Sequence, residues 1–298
     1  MSIDTNHSND AEEFRKVLRV LVNGERVNVN PPDTLRLAGL NKVLLHVLRI
    51  VDYQGGDLRR EQEERLRRII NMVREIEYAL EGIDHAFIKL VKPVIYVPAD
   101  IDILVRKDQV LLATIRLIRR GYSVLLYEPY TITLVKDGIN VDLYVHPSAA
   151  SLVYARGGEE FLDLKATGEY HGVKITTIER HAEVVLAILH AVYKEGIITL
   201  NDALTVMFWL NNDAVNLCAR LGGCMNAMEL ALSVTYLAIR KSLILPYKLP
   251  ISVWFTYLLT RTLGNRRYTS SILQGGIKRV GDGKFIPQLI NRIMRTSY

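Results

Sequence analysis

The segment Val97-Pro98-Ala99-Asp100-Ile101-Asp102-Ile103-Leu104-Val105 constrains this chain more than any other. Its apolar residues read as a strand, in which side chains alternate between faces. Asp100 and Asp102 therefore share one face, while Ile101, Ile103 and Val105 enter a core on the other. Two carboxylates together at the start of an apolar strand are costly unless positive charge lies between them. A divalent cation that prefers oxygen ligands, Mg²⁺ or Mn²⁺, is the usual solution. A second strand, Ile139 to Val145, carries Asp142 between the apolar Val141 and Leu143. Set beside the first, it would bring three carboxylates to one face, the arrangement with which two metal ions hold a triphosphate and activate a hydroxyl. The strand that precedes it lies either between Asp142 and the pair or beyond Asp142; the pattern allows both. An Asp-x-Asp alone is a weak signal, because strand ends and turns collect aspartates. The third aspartate inside an otherwise apolar strand makes coincidence the minority reading.

Around these strands the periodicity changes twice. The N-terminal stretch reads as helices over residues 11–22, 34–51 and 58–80, separated by a loop or short hairpin over 24–33. The third has the clearest stripe, with Leu66, Ile69, Ile70, Val73, Ile76 and Leu80 on one side and Arg59, Arg60, Arg67, Arg68 and Arg74 on the other. Interleaved glutamates make that arginine face an ordinary solvated surface before an RNA-binding one. Residues 86–91 and 94–97 are β-prone. Asp108 suits the N-cap of a helix over 109–120, closed by Gly121. Strand signals follow at 123–127, 130–135 and 139–145, the last two joined through Asp137-Gly138, a strong hairpin dipeptide. Residues 149–172 are mixed, and beyond Ile178 the chain is mostly helical. The expectation is an α+β protein: a small mixed β-sheet core at residues 83–177, an N-terminal helical region at 1–82 and a C-terminal helical domain at 178–298.

A formal net charge of +6 leans toward an anionic partner such as a nucleotide or RNA. The basic residues concentrate late, at Arg261, Arg266, Arg267, Lys278, Arg279, Lys284, Arg292 and Arg295, where Tyr268 and Phe285 could stack on bases. Cys218 and Cys224 have no histidine cluster, which argues against zinc; they read as small buried residues, with a disulfide left open. The polar first ten residues lack an apolar core segment, and no signal peptide is expected there. The apolar stretches 230–245 and 251–259 are too short or interrupted to span a bilayer and read as buried helices, in an internal core or an oligomer interface. A cytoplasmic protein is the expectation.

The run Asp100-Ile101-Asp102-Ile103-Leu104-Val105, a helix ending in Arg119-Arg120-Gly121-Tyr122, and a hairpin with Val141-Asp142-Leu143-Tyr144 together resemble the DNA polymerase β-type nucleotidyltransferase superfamily. Within it, the likeness is to the uncharacterised nucleotidyltransferases related to abortive-infection toxins, over about residues 83–215. The resemblance implies a metal-dependent transfer of a nucleotide from an NTP to a hydroxyl. Asp100 and Asp102 would bind both metal ions and Asp142 would complete the one that activates the acceptor. Lys89 and Lys92 would steady the triphosphate, helped by Lys194 from the following helical region, which also carries His190 and Asp202. Acceptors in the superfamily are RNA ends, proteins and small molecules; the basic C-terminal third favours RNA, including tRNA. One departure stands out. The superfamily places a glycine turn before the aspartate pair, where backbone N–H groups cradle the triphosphate, whereas this chain has Phe87-Ile88-Lys89-Leu90-Val91-Lys92-Pro93.

That departure supports a rival reading, a catalytically silent module of the same fold that binds a nucleotide or RNA. A glycosyltransferase, whose Asp-x-Asp holds a metal and a nucleotide-sugar, is a second alternative, although it needs no third aspartate. A dehalogenase-type phosphatase fits less well, with Leu104 two residues after Asp102 and no later Asp-Asp pair. Lys165 and Lys174 read as solvated lysines, and His190 and His146 as packed side chains before ligands.

Overall fold

The computed structural model describes residues 4–25, 31–51, 56–149, 152–155, 158–240, 243–263, 294, 295 and 297. Four helices come first: α1 (Asp4–Asn23), α2 (Pro31–Leu40), α3 (Leu44–Ile50) and α4 (Asp57–Ala79). Then follow β1 (His85–Ile88), β2 (Asp100–Val105), α5 (Val110–Ile118), β3 (Ser123–Glu128), β4 (Thr131–Lys136) and β5 (Ile139–Tyr144). A short α6 (Gly158–Leu162) leads to the hairpin β6 (Lys165–Tyr170) and β7 (Val173–Ile178). The remainder is helical: α7 (Arg180–Leu189), a π-helical turn at His190–Glu195, α8 (Leu200–Trp209), α9 (Asn212–Arg220), α10 (Cys224–Ile239) and α11 (Ile251–Leu263).

The seven strands form one mixed sheet in the order β3-β4-β5-β2-β1-β7-β6. β2 runs parallel to β5 and β1 parallel to β7, while the other neighbours are antiparallel. Strand alternation sends Phe87, Ile101, Ile103, Val105, Val141 and Leu143 into a buried layer shared with α4 and α5. The opposite face sends Ala86, Ile88, Leu104 and Tyr144 into a second core built largely from the N-terminal helices and α7 to α10. The α+β class expected from the sequence is the one observed. The apolar stripe of α4 is buried through Leu66, Ile69, Met72, Val73 and Ile76, and Arg67, Arg68 and Arg74 are exposed. No helix among the described residues is long and apolar enough to cross a membrane.

Four local expectations are corrected. The helix expected over 34–51 is two, because Lys42 adopts a left-handed backbone (φ 59°) between α2 and α3. Residues 94–97 form no strand. Lys89, also left-handed (φ 59°), ends β1, and the Ile95 N–H donates to His46 Nδ1 (2.9 Å) and not to a strand neighbour. Asp108 does not cap α5; Gln109 occupies that position, and its side-chain oxygen accepts the Asp84 N–H instead (2.6 Å). The mixed stretch before Gly172 contains β6, turned into β7 through left-handed His171 and Gly172. The Asp137-Gly138 hairpin is present, both residues with positive φ as a tight primed turn requires. Cys218 and Cys224 are buried and joined by a disulfide, with their Cα atoms 5.2 Å apart.

Candidate functional site

The central pairing answers what the sequence left open. β5 lies directly against β2, and β4 lies beyond it. In the parallel register Asp102 is opposite Asp142, and Asp100 is opposite Asn140. Residues opposed across neighbouring strands share a face, so all three aspartates project from the side of the sheet that α7 covers. One carboxylate oxygen from each lies within 4.8 Å of the others.

The three groups are not equivalent. Asp142 is fixed by two hydroxyls: Thr133 Oγ1 on β4 donates to its Oδ1 (2.6 Å) and Tyr144 Oη to its Oδ2 (2.9 Å). Asp102 is buried, and Lys89 Nζ lies 2.8 Å from its Oδ2. Its Oδ1, also buried, has no hydrogen-bond partner among the described residues. Burial pushes the Asp102 carboxyl up to about 6 against the pull of Lys89, with Asp100 and Asp142 adding to the rise. Burial works against the Lys89 ammonium too, but Asp102 and Asp100 outweigh it and hold Lys89 above the ordinary lysine value. An all-oxygen cluster with a buried, unpartnered carboxylate oxygen fits a hard divalent cation, since a further positive charge there would satisfy that oxygen.

Beside the aspartates lies a cavity of about 220 Å³. Asp100, Asp102, Lys89, Lys92 and Lys194 all line it, and Asp142, which does not, clusters with Asp100 and Asp102, so the sequence-derived site residues come together. Lys92 is committed to Glu183 on α7, its ammonium 2.9 Å from Oε1, with both side chains buried. The other Glu183 oxygen accepts the Lys89 backbone N–H (3.0 Å). One buried acid thus ties down both ends of the stretch where the glycine turn was sought. Lys194 projects from the π-helical turn, 3.8 Å from Glu195.

His190 forms part of the cavity wall with its Nε2 3.3 Å from Glu195, and burial together with the surrounding lysines holds its pKa well below the usual histidine value. It is a packed side chain of that wall. Asp202 reaches the wall while closing a capping box at the start of α8, where it accepts from the Thr199 N–H (2.9 Å). Lys165 pairs with Asp84, Lys174 is exposed on β7, and His146 stacks near Tyr130; none of them lines the cavity. Of the late basic residues, Arg261 and Arg295 are described, and Arg295 reaches the cavity and pairs with Glu195. Arg266, Arg267, Tyr268, Lys278, Arg279, Lys284, Phe285 and Arg292 lie outside the described residues. Sequence reasoning missed Glu183, Thr133 and Lys42. A lone acid in the apolar run Ala182 to Leu189 was the available signal for Glu183; Thr133 and Lys42 gave none.

No protein-family model and no curated protein matches this sequence. Among solved structures, an antigenic nucleotidyltransferase-like protein from Paracoccidioides brasiliensis is similar over 65% of this chain and 98% of its own, at 12% identity and a TM-score of 0.36. At that level of similarity the site must be read from its own geometry.

Proposed function

We propose that the protein is a divalent-metal-dependent nucleotidyltransferase, of the polymerase β type and akin to the abortive-infection group, that moves a nucleotide from an NTP to a hydroxyl acceptor. The observation that carries this reading is the register that sets Asp102 opposite Asp142 with Asp100 beside them, around a buried carboxylate oxygen that lacks a partner. Asp100, Asp102 and Asp142 would hold Mg²⁺ or Mn²⁺, which when bound offsets triphosphate charge and acidifies the acceptor hydroxyl. The chain's own groups do the rest. Thr133 and Tyr144 keep Asp142 in one orientation. Lys89 balances the charge of Asp102 and would turn to a phosphate once a cation takes its place, while Lys194 and Lys92 would steady the triphosphate from the cavity wall, Lys92 from its pairing with Glu183. Fixed charges of this kind stabilise a developing anion without reorganisation. RNA, including tRNA, is the acceptor favoured by the basic C-terminal third of the sequence. Residues 83–177 would supply the carboxylates, with 1–82 and 178–298 as flanking helical units.

The test is incubation of purified protein with Mg²⁺, each α-³²P-labelled NTP and total RNA. Label entering RNA, and lost in Asp142→Ala, is the expected result. Transfer that persists at the wild-type rate in Asp142→Ala would sink the assignment.

A second reading, a silent nucleotide- or RNA-binding module, is favoured by one contact: the Lys89 ammonium already sits on Asp102, where a cation belongs. Manganese titration followed by electron paramagnetic resonance separates the two. Saturable Mn²⁺ binding abolished in Asp102→Asn supports the enzyme, and no binding in the wild type supports the module.

A further inference from the structure

Lys42 reaches the same cavity from a part of the chain that carries none of the aspartates. It stands in the tight turn between α2 and α3 with φ 59°, a left-handed conformation that is strained for a non-glycine residue. The turn is anchored to the start of α8. Asn41 Oδ1 accepts the Leu200 N–H (2.9 Å), the Asn201 N–H donates to the Asn41 carbonyl (3.3 Å), and Asn41 Nδ2 donates to the carbonyls of Leu37 (3.0 Å) and Leu245 (2.6 Å). Anchored in this way, Lys42 extends along Tyr96, its ammonium 5.7 Å from the ring centroid, and lines the wall with Asp100 and Asp202. Burial lowers its pKa to about 8, with Asp202 and Asp100 opposing the fall.

Four lysines, Lys42, Lys89, Lys92 and Lys194, thus converge on one cavity of about 220 Å³ next to a carboxylate cluster suited to a divalent cation. Lys89 lies 2.8 Å from Asp102, Lys92 2.9 Å from Glu183 and Lys194 3.8 Å from Glu195, while Asp202 and Asp100 act on Lys42. With a divalent cation on the aspartates, Lys42, Lys89, Lys92, Lys194 and Arg295 outweigh Asp100, Asp102, Asp142, Glu183, Glu195 and Asp202 by one charge, so the enclosure favours an anion. A lysine is a compact point charge suited to phosphate oxygens. We propose that Lys42 is a binding residue for the polyphosphate tail of the nucleotide, contributed by the N-terminal helices to a site whose metal ligands lie in the sheet. The inference rests on the nucleotidyltransferase reading above. It explains why a strained lysine is held at a turn that a glycine would occupy without that strain, and why Asn41 anchors that turn to α8.

The experiment is calorimetric titration of the full chain with inorganic tripolyphosphate and with nucleoside monophosphates, in Mg²⁺, for the wild type, Lys42→Gln and Lys42→Arg. Loss of one charge-assisted contact should weaken tripolyphosphate binding about ten-fold or more in Lys42→Gln, with the monophosphates little changed and Lys42→Arg close to the wild type. A measurement on the unaltered protein guards against a misfolded variant: tripolyphosphate should protect Lys42, and not the exposed Lys174, from acetylation read by mass spectrometry. Wild-type affinity in Lys42→Gln, or equal acetylation of Lys42 with and without tripolyphosphate, overturns the assignment while leaving the nucleotidyltransferase reading intact. Tripolyphosphate binding that depends on Lys42, in a protein that transfers no label to any acceptor, upholds Lys42 and removes the transferase. A wild type that binds neither tripolyphosphate nor any NTP overturns both.

Discussion

Asp142 depends on two neighbours that are not themselves metal-binding groups. Thr133 lies opposite it on β4 and Tyr144 two residues on in β5, and each donates to a different carboxylate oxygen. Groups that orient a ligand in this way commonly change metal affinity or activity 10–100-fold when lost. Thr133→Val keeps the shape and removes the donor, so Mn²⁺ affinity should fall by about ten-fold with an unchanged circular dichroism spectrum; unaltered affinity would mean that Tyr144 alone suffices. A second carboxylate matters for stability. Glu77 on α4 accepts from the Thr176 N–H (3.1 Å) and Thr176 Oγ1 (2.8 Å) on β7, and lies 3.2 Å from His85 Nε2 on β1. Burial alone would raise its pKa, but these bonds outweigh that and hold it below the usual glutamate range. A carboxylate depressed on folding stabilises fully above its unfolded pKa, and the contribution disappears as the pH falls through the folded value. Glu77→Ala should therefore cost about 1.5 kcal/mol at pH 7, a difference that shrinks below about pH 4. Urea denaturation at several pH values checks this, and a gap that widens toward acid would contradict it.

At the scale of elements, α7 acts as a clamp on the chain leaving β1. Glu183 holds the Lys89 N–H and the Lys92 ammonium from one buried position. Removing one partner of a buried ion pair commonly costs about 3–5 kcal/mol, so Glu183→Ala should lower the urea midpoint sharply. It should also expose the 89–99 stretch to amide hydrogen exchange ahead of the sheet; uniform exchange behaviour would deny the clamp. The strands that carry the aspartates, the helix α4 and the Asp137-Gly138 hairpin were all legible in the sequence, because each is specified by local period or turn chemistry. The adjacency of β2 and β5 was not, since strand order depends on pairing between distant segments. Nor was the break at Asn41-Lys42, whose stabilising bonds run to Leu200 and Leu245. The β6–β7 hairpin escaped because His171-Gly172 replaces the usual Asn-Gly or Asp-Gly, and β6 alternates too weakly to declare a face. Lys89, Lys92 and Lys194 were expected near the aspartates; that Lys92 would be spent on Glu183 depends on a helix that begins 88 residues later.

Across the whole molecule, a single buried cluster joins Phe14 and Val47 from the N-terminal helices, Ile88 and Leu104 from the sheet, and Val185, Leu204 and Met228 from the C-terminal helices. Asn41 is the polar fastening in that joint, and its amide serves backbone groups of α2, α8 and the segment before β-paired Tyr247. Asn41→Ala strands the Leu200 N–H and the Leu245 carbonyl in a dry interior, at about 1–3 kcal/mol for each unsatisfied group. The expected result is a lower urea midpoint at unchanged slope, with loss of structure by the N- and C-terminal helices in one transition; two separate transitions would show that the halves are held apart from one another. The same fastening has a consequence for the chain as it is made. Asp142 leaves the ribosome about 100 residues before Leu245, an interval of roughly 5–20 s at ordinary rates of synthesis. Through that interval the three carboxylates have emerged, while the Asn41 amide can reach Leu37 and then Leu200 but not yet Leu245, so the fastening is completed only after the strands that carry the aspartates have been made.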